Sequence, residues 1–121
     1  MAATNFKETT AFKKAFGLAM EIFEISKKFP SEEKYSLTDQ IRRSSRSVSA
    51  NLGEAYRKKR YPAHFISKIS DSDAENSETQ VWLLFANKCA YITLDQYDSL
   101  LSQSEEVGRL LHHMIDNPEK Y

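Results

Sequence analysis

The chain has 121 residues, of which 40% are hydrophobic and 28% charged, and its formal net charge is zero. This length suits one domain, residues 1–121, whose core needs no metal or disulfide. With only three glycines and three prolines, the composition excludes a loop-rich fold. Cys89 has no second cysteine to pair with, Met1–Thr10 lacks the apolar stretch of a signal peptide, and no apolar run reaches the roughly 18 residues of a membrane span. We therefore expect a soluble protein of the reducing cytoplasm, with no membrane partner.

The first two predicted helices are marked by proline and by polar residues. The first helix covers residues 10–29 and stops before Pro30. Ser36 is expected to cap the second helix, residues 36–60, because Asp39 then lies in the first turn, where a carboxylate favours the helix start.

The last two helices have equally clear starts. Pro62 suits the first turn of the third helix, residues 62–92. Thr93 with Gln96 makes a capping box for the fourth, residues 94–116. Because short connections make sequential helices antiparallel neighbours, the expected fold is all-α, an up-down-up-down four-helix bundle.

Charge is distributed unevenly along these helices. Residues 41–70 carry eight basic and one acidic side chain, whereas residues 71–121 carry three basic and ten acidic ones. This asymmetry indicates either an anionic partner for the middle segment or complementary surfaces within an assembly.

The basic segment is the first candidate site. Its arginines on the second helix fall within about 100° on the face opposite the apolar stripe, and guanidinium groups along a helix can follow a nucleic-acid backbone. The candidate nucleic-acid-binding residues are Arg42, Arg43, Arg46, Arg57, Lys58, Lys59 and Arg60. The alternative is that they pair, across a subunit interface, with an acidic stripe of the third helix formed by Asp71, Glu75 and Glu78.

Two pairs of carboxylates define an enzymatic alternative. Glu75 and Glu78, followed by Asp95 and Asp98, resemble the acidic motifs with which all-α nucleotide pyrophosphohydrolases hold Mg²⁺. Acids also occur in the first turn of a helix because the helix dipole favours them. Since the sequence has no Gly-rich phosphate loop, zinc-ligand spacing or Glu-x-x-His pair, we expect no catalytic residue, no metal and no cofactor.

The first and third helices carry more apolar residues than one core face needs. In the first helix these residues cover an arc of roughly 220°, whereas a core-facing stripe needs a little over 100°. A subunit interface explains the surplus better than a thicker core reached by the N-terminal tail or by long loops, so we expect a homo-oligomer. The candidate interface residues are Phe12, Phe16, Trp82, Phe85 and Cys89.

The middle of the third helix is polar on the arc that should face the bundle. Its residues there are Asp73, Asn76, Ser77 and Gln80, opposite the serines of the second helix. Because buried polar groups must be hydrogen-bonded, we expect this layer to fix the helix register; the alternative is a ligand pocket.

The second helix also carries a family signature. The stretches Leu37-Thr38-Asp39-Gln40-Ile41-Arg42-Arg43 and Asn51-Leu52-Gly53-Glu54-Ala55 resemble that of the bacterial four-helix-bundle proteins, which include proteins encoded in intervening sequences of 23S ribosomal RNA genes. The resemblance covers residues 10–116. By position, Arg42, Arg43, Glu54, Glu75 and Glu78 match the family pattern. Ser49 replaces a frequent proline, which should leave the second helix straighter.

This resemblance implies an antiparallel bundle that assembles as a ring-like homopentamer. It also implies kinship with the accessory proteins of diversity-generating retroelements, which are basic pentamers that bind nucleic acid and a reverse transcriptase. The sequence therefore predicts a non-enzymatic oligomeric binding or scaffold protein, whose arginine face engages RNA, DNA or a nucleic-acid-processing protein. A purely structural oligomer, with the arginines in subunit contacts, is the remaining alternative.

Overall fold

The computed structural model describes residues 5–121, so the expectation for Met1–Thr10 lies partly outside the described residues. This part of the chain forms four α-helices and no strand: α1 Thr10–Ser26, α2 Leu37–Arg57, α3 Pro62–Lys88 and α4 Leu94–Asp116. Short 3-10 turns occur at Phe6–Glu8, Ser31–Glu33 and Pro118–Lys120.

The helices close into a bundle in which each one packs against two neighbours. α1 and α3 each contact α2 and α4, whereas no Cα atom of α1 within the described residues comes within 8 Å of α3. α1 and α3 are therefore diagonal to one another. The predicted all-α four-helix bundle is confirmed. Within residues 5–121, each helix is too short or too polar to span a lipid bilayer.

Three helices end earlier than the sequence predicted. α1 ends at Ser26 rather than at residue 29, because the chain tightens into turns in which the Phe29 amide donates to the Ser26 carbonyl at 3.1 Å. α2 ends at Arg57 rather than at residue 60. The expected boundaries extended each helix to its next proline or charged run, but the last turns leave helical geometry first.

The end of α3 at Lys88, rather than at residue 92, has a specific backbone cause. Ala90 has a φ of 63°, the left-handed conformation. The Tyr91 amide donates to the Ala86 carbonyl and the Ala90 amide to the Asn87 carbonyl, both at 2.9 Å. This is a Schellman motif, which glycine usually makes and which alanine hides from a sequence reading.

One predicted cap is confirmed and one is wrong. Thr93 and Gln96 form the expected reciprocal capping box of α4. Ser36 makes no cap hydrogen bond to α2. Instead the Glu33 carboxylate accepts from the Leu37 amide at 3.3 Å and from the Ser36 hydroxyl at 2.6 Å. These bonds, with one from the Tyr91 hydroxyl, lower the pKa of Glu33.

The core is divided into two apolar clusters by a polar layer. Around Phe65 and Leu111 lies the first cluster, and around Ile22 and Leu83 the second. Between them, the Asn76 amide group donates to the Ser104 carbonyl at 2.9 Å and accepts from the Ser104 hydroxyl, also at 2.9 Å. This paired geometry allows one relative position of α3 and α4, as expected for a layer that fixes helix register.

The polar layer differs in membership from the prediction. Asn76 and Gln80 bond Ser104 of α4 rather than serines of α2, and Ser77 is exposed. Ser72 and Thr79 meet α2 instead: Ser72 donates to the Val48 carbonyl at 2.7 Å, and Thr79 bonds Ser44 at 2.8 Å. The buried polar face of α3 is therefore offset by about one residue from the predicted face, because α3 divides its polar contacts between α2 and α4.

Candidate nucleic-acid interface

The seven predicted binding residues separate into two groups in the structure. Arg42, Arg43 and Arg46 lie in the first half of α2 and are called the arginine row here. Arg57 ends α2, and Lys58, Lys59 and Arg60 form the connection to α3. The two groups face different surroundings and have different partners.

The Arg42 side chain lies between α1 and α2. Its Nε atom donates to the hydroxyl of the buried Ser26 at 2.8 Å, and its guanidinium carbon lies 4.8 Å from the centre of the Phe23 ring. The side chain is half-buried. A guanidinium bound through Nε and covered on one face by an aromatic ring contributes to the packing of α2 against α1.

The side chains of Arg46 and Arg43 extend from α2 in opposite directions. Arg46 is exposed and turns towards α1, where its guanidinium carbon lies 5.5 Å from the centre of the Phe23 ring. Arg43 makes a 3.8 Å ion pair with Asp39 and lies on the α3 side. Burial raises the pKa of Glu75 on α3, and the charge of Glu78 raises it further, whereas the charge of Arg43 lowers it.

The acidic stripe of α3 therefore lies beside α2 of the same chain. Glu54 of α2 makes a 2.7 Å ion pair with Lys68, which also lies 3.8 Å from Asp71. The hydrogen bond that Lys68 donates to the Glu54 carboxylate raises the pKa of Lys68. Glu54, which matches the family pattern, thus connects α2 to α3 at the surface.

The second group of cations has no acidic partner in the described part of the chain. None of the ion pairs there involves Arg57, Lys58, Lys59 or Arg60. Lys59 lies over the Tyr56 ring, with its Nζ atom 4.6 Å from the ring centre. These four consecutive cations are free to attract an anion.

The 3-10 turn at Phe6–Glu8 brings a fifth cation, Lys7, close to Arg57 and Lys59. A cavity of about 390 Å³ is lined by Asn5, Phe6, Lys7, Tyr56, Arg57 and Lys59. Lys7 has no acidic partner in the ion pairs that the structure describes either. We call Lys7, Arg57, Lys58, Lys59 and Arg60, with this cavity, the basic end.

Lys7 and Asn5 were not predicted as site residues, because nothing in the neighbouring sequence distinguishes them. The Asn5 side chain accepts from the Lys7 amide at 2.9 Å and so starts the turn. The Phe6 ring then lies against Gly53, where an added Cβ would sit 3.3 Å from the ring. Gly53 was the available signal, because a glycine often marks a place where another part of the molecule approaches the backbone closely.

An exposed aromatic residue adjoins the basic end. Tyr61 is 57% exposed, and its ring centre lies 5.8 Å from that of His64 in an edge-to-face arrangement. Exposed rings among cations are typical of surfaces on which unpaired bases stack. Phosphate and base contacts are therefore available within a few residues of each other.

The carboxylates of the enzymatic alternative do not form a metal site. In residues 5–121, no group of three or more His, Cys, Asp and Glu side chains is placed to hold a metal ion. Glu75 and Glu78 are half-buried on α3, whereas Asp95 and Asp98 are exposed near the start of α4. The arrangement that this chemistry requires, in which both pairs converge on one cation, is not present among them.

A polar groove between α3 and α4 also lacks the features of a metal site. This cavity of about 660 Å³ is lined by residues that include Asp73, Glu105, Arg109, His112 and Asp116. His112 and Asp73 are joined by a 3.1 Å contact between Nε2 and Oδ2, and His113 contacts the Tyr121 hydroxyl. The two adjacent histidines therefore have different partners.

The predicted interface residues are divided between surface and core. Phe16 and Phe85 are 50% and 52% exposed, and Cys89 is exposed. Phe12 and Trp82 are half-buried and pack against the first and second apolar clusters respectively. Three of the five residues are thus available to a second chain without any rearrangement.

Comparison with known proteins gives a family and no curated function. The family model described as 23S rRNA-intervening sequence protein matches residues 7–113. No curated protein matches the chain. A crystal structure of a protein of unknown function from the S23 ribosomal protein family of Bacteroides thetaiotaomicron is 33% identical, with a TM-score of 0.80, and the match covers 88% of this chain and 95% of that one. The chain belongs to the 23S rRNA-intervening sequence protein family.

Proposed function

We propose that this protein is a non-enzymatic, homo-oligomeric binding or scaffold protein that engages RNA or DNA through its basic end. The observation that carries the proposal is the absence of acidic partners, in residues 5–121, for the five cations of the basic end, three of which (Lys7, Arg57 and Lys59) line one cavity of about 390 Å³. Because these charges are not neutralised within the chain, a phosphate backbone would release its own counterions on binding them.

The composition of the basic end favours nucleic acid over a small anion. Its cations come from the 3-10 turn, the end of α2 and the following connection, so they spread along a path rather than around one point. Tyr61 is exposed beside them, which offers a stacking surface for a base. A single phosphate would use only part of this surface.

Oligomerisation would multiply this binding. Each copy contributes one basic end, and several copies on one strand bind with an effective concentration that a single copy lacks. The exposed Phe16 and Phe85 are the apolar surface from which the assembly is inferred.

Binding of a fluorescent single-stranded RNA and of duplex DNA tests the proposal, measured by anisotropy across a salt series. We expect the logarithm of the affinity to fall with the logarithm of the salt concentration, with a slope of about −0.7 to −0.9 for each phosphate contacted. Arg57→Glu with Arg60→Glu should abolish most of the binding, because two attractive charges become repulsive.

Lys28→Glu with Lys34→Glu is the matched control. It makes the same change of net charge with two exposed lysines of the connection between α1 and α2, and it should bind nearly as the wild type does. Affinity that ignores salt, or an equal loss in both double variants, would refute binding through the basic end.

A further inference from the structure

Two apolar surfaces remain uncovered on the described chain. The first is a groove between α1 and α2 with a volume of about 420 Å³, here the α1–α2 groove; its lining includes Phe12, Phe16, Ala19, Met20, Ser49, Ala50 and Gly53. The second, here the α3 patch, consists of Val81, Leu84 and Phe85, which are 44 to 52% exposed. Apolar surface of this kind on a small domain marks a contact with another molecule.

One chain cannot cover both surfaces itself. The α1–α2 groove lies between α1 and α2, and the α3 patch is on the exposed side of α3. Since α1 and α3 are diagonal in the bundle and make no contact with each other in the described residues, the two surfaces face different sides of the molecule.

The floor of the groove is incomplete in a single copy. The Ser49 hydroxyl is buried, and in residues 5–121 it is the one buried side-chain polar atom without a hydrogen-bond partner. Buried polar atoms in native proteins normally have partners. An unsatisfied hydroxyl beneath exposed phenylalanines indicates that the native contact brings in a further group.

The charges beside the two surfaces are opposite in sign. Arg46 lines the α1–α2 groove. Glu78 adjoins the α3 patch, where it accepts a 3.2 Å hydrogen bond from the Trp82 indole, and Glu75 lies one turn before it. Among the described residues, neither Arg46 nor Glu78 takes part in an ion pair.

Symmetry then decides between two ways of joining copies. Because the two surfaces face different sides of the molecule, a single two-fold contact can use only one of them, which places Arg46 near Arg46 or Glu78 near Glu78 and leaves the other surface bare. A head-to-tail contact covers both surfaces in every copy and places opposite charges together. A repeated head-to-tail contact closes into a ring when the rotation per copy permits.

Resting on the homo-oligomer of the proposed function, we infer that the α1–α2 groove of one copy receives the α3 patch of the next. Phe16 and Met20 contact Leu84 and Phe85 across this interface, with Arg46 beside Glu78. The occupant of the groove is thus a second copy of this chain.

Mixing two single variants tests the direction of assembly, with the mass measured by sedimentation velocity and folding checked by circular dichroism. Phe16→Asp spoils the groove and keeps the patch, whereas Phe85→Asp spoils the patch and keeps the groove. Each variant alone should be monomeric, and an equimolar mixture should give a 1:1 dimer that does not grow further. Tyr35→Asp, at a residue that is 85% exposed and outside both surfaces, should keep the wild-type mass.

Each other result contradicts the inference. A monomeric wild type removes the interface altogether. Single variants that remain dimeric indicate a two-fold contact, and a mixture that stays monomeric shows that groove and patch do not meet. If either variant unfolds, Met20→Asp and Leu84→Asp replace the pair and are judged by the same outcomes.

A charge swap gives a second reading of the same contact. Arg46→Glu and Glu78→Arg should each weaken the assembly, and the chain that carries both should recover most of it. If the double variant does not recover, Arg46 and Glu78 do not meet across the interface, which contradicts the proposed arrangement. The Arg57→Glu with Arg60→Glu variant should keep the wild-type mass, so loss of nucleic-acid binding and loss of assembly can be told apart.

Discussion

The arginine row and the basic end belong to one positively charged stretch of sequence, yet the fold uses them differently. Arg42 donates to Ser26 and lies on Phe23, and Arg43 faces Asp39 and Glu75. Arg57 and its three successors have no acidic partner among the described residues. A count of charges along a helix face cannot separate cations that hold helices together from cations that remain free, because the difference depends on what the neighbouring helix presents.

The largest effect should come from neutralising the basic end. Arg57→Gln with Arg60→Gln should make the negative slope of log affinity against log salt shallower by about two, since each lost phosphate contact reduces its magnitude by roughly one. Arg42→Gln should leave the slope unchanged, because its guanidinium is already engaged. Anisotropy titrations at several salt concentrations measure both, and an equal loss of slope in the two variants would remove the distinction between the regions.

The next largest effect is on stability, and here the arginine row should matter more than the basic end. Arg42→Ala removes a hydrogen bond to a charged group and a cation–π contact, and should lower the free energy of unfolding by about 2 kcal/mol. Arg57→Ala, at an exposed residue, should stay within about 0.5 kcal/mol of wild type. Urea unfolding at a fixed protein concentration compares them; a larger loss in Arg57→Ala than in Arg42→Ala contradicts the assigned roles.

A double-mutant cycle isolates the contact that distinguishes Arg42. Ser26→Ala, Arg42→Ala and the double variant should show a coupling free energy of about 1 kcal/mol, typical of a hydrogen-bonded pair that is partly buried. Ser26→Ala with Arg57→Ala is the control cycle and should be additive. Additivity in the first cycle would mean that Arg42 is held by Phe23 alone.

The smallest effect concerns Arg43, which is intermediate between the two groups. The pKa of Glu75 is raised by burial and by Glu78, and it is lowered by Arg43. Arg43→Ala should therefore raise that pKa further. Because a carboxyl whose folded pKa exceeds its unfolded value costs stability when ionised, the variant should lose stability as pH rises through the folded pKa of Glu75 and recover it at lower pH. NMR titration of the Glu75 carboxyl measures the shift, and a lowered pKa would contradict the contact.

Sequence patterns were sufficient for the architecture because periodicity and prolines act locally. The four helices, the Thr93 and Gln96 capping box and the Pro62 start are all set by neighbouring residues. The Ser36 cap failed because the Ser36 hydroxyl donates to the Glu33 carboxylate instead of accepting from an amide of the helix. Similarly, the third helix ends early at an alanine that adopts the conformation usually left to glycine.

Only part of the candidate site could be predicted from the sequence, because the site is formed by distant parts of the chain. Arg57, Lys58, Lys59 and Arg60 could be named from their charge. The contribution of Lys7 required the 3-10 turn to pack against Gly53, a contact between segments more than forty residues apart. The internal use of Arg42 required Ser26 and Phe23 to come from α1, which no pattern within α2 reveals.

Photocrosslinking tests the central claim most directly, because it reports where a nucleic acid lies on the protein. With RNA that contains 4-thiouridine, followed by mass spectrometry, we predict adducts within residues 56–61, above all on Tyr61, and their loss at high salt. Adducts concentrated on Arg42, Arg43 and Arg46, or on Tyr91 and Tyr97 near the start of α4, would contradict binding through the basic end.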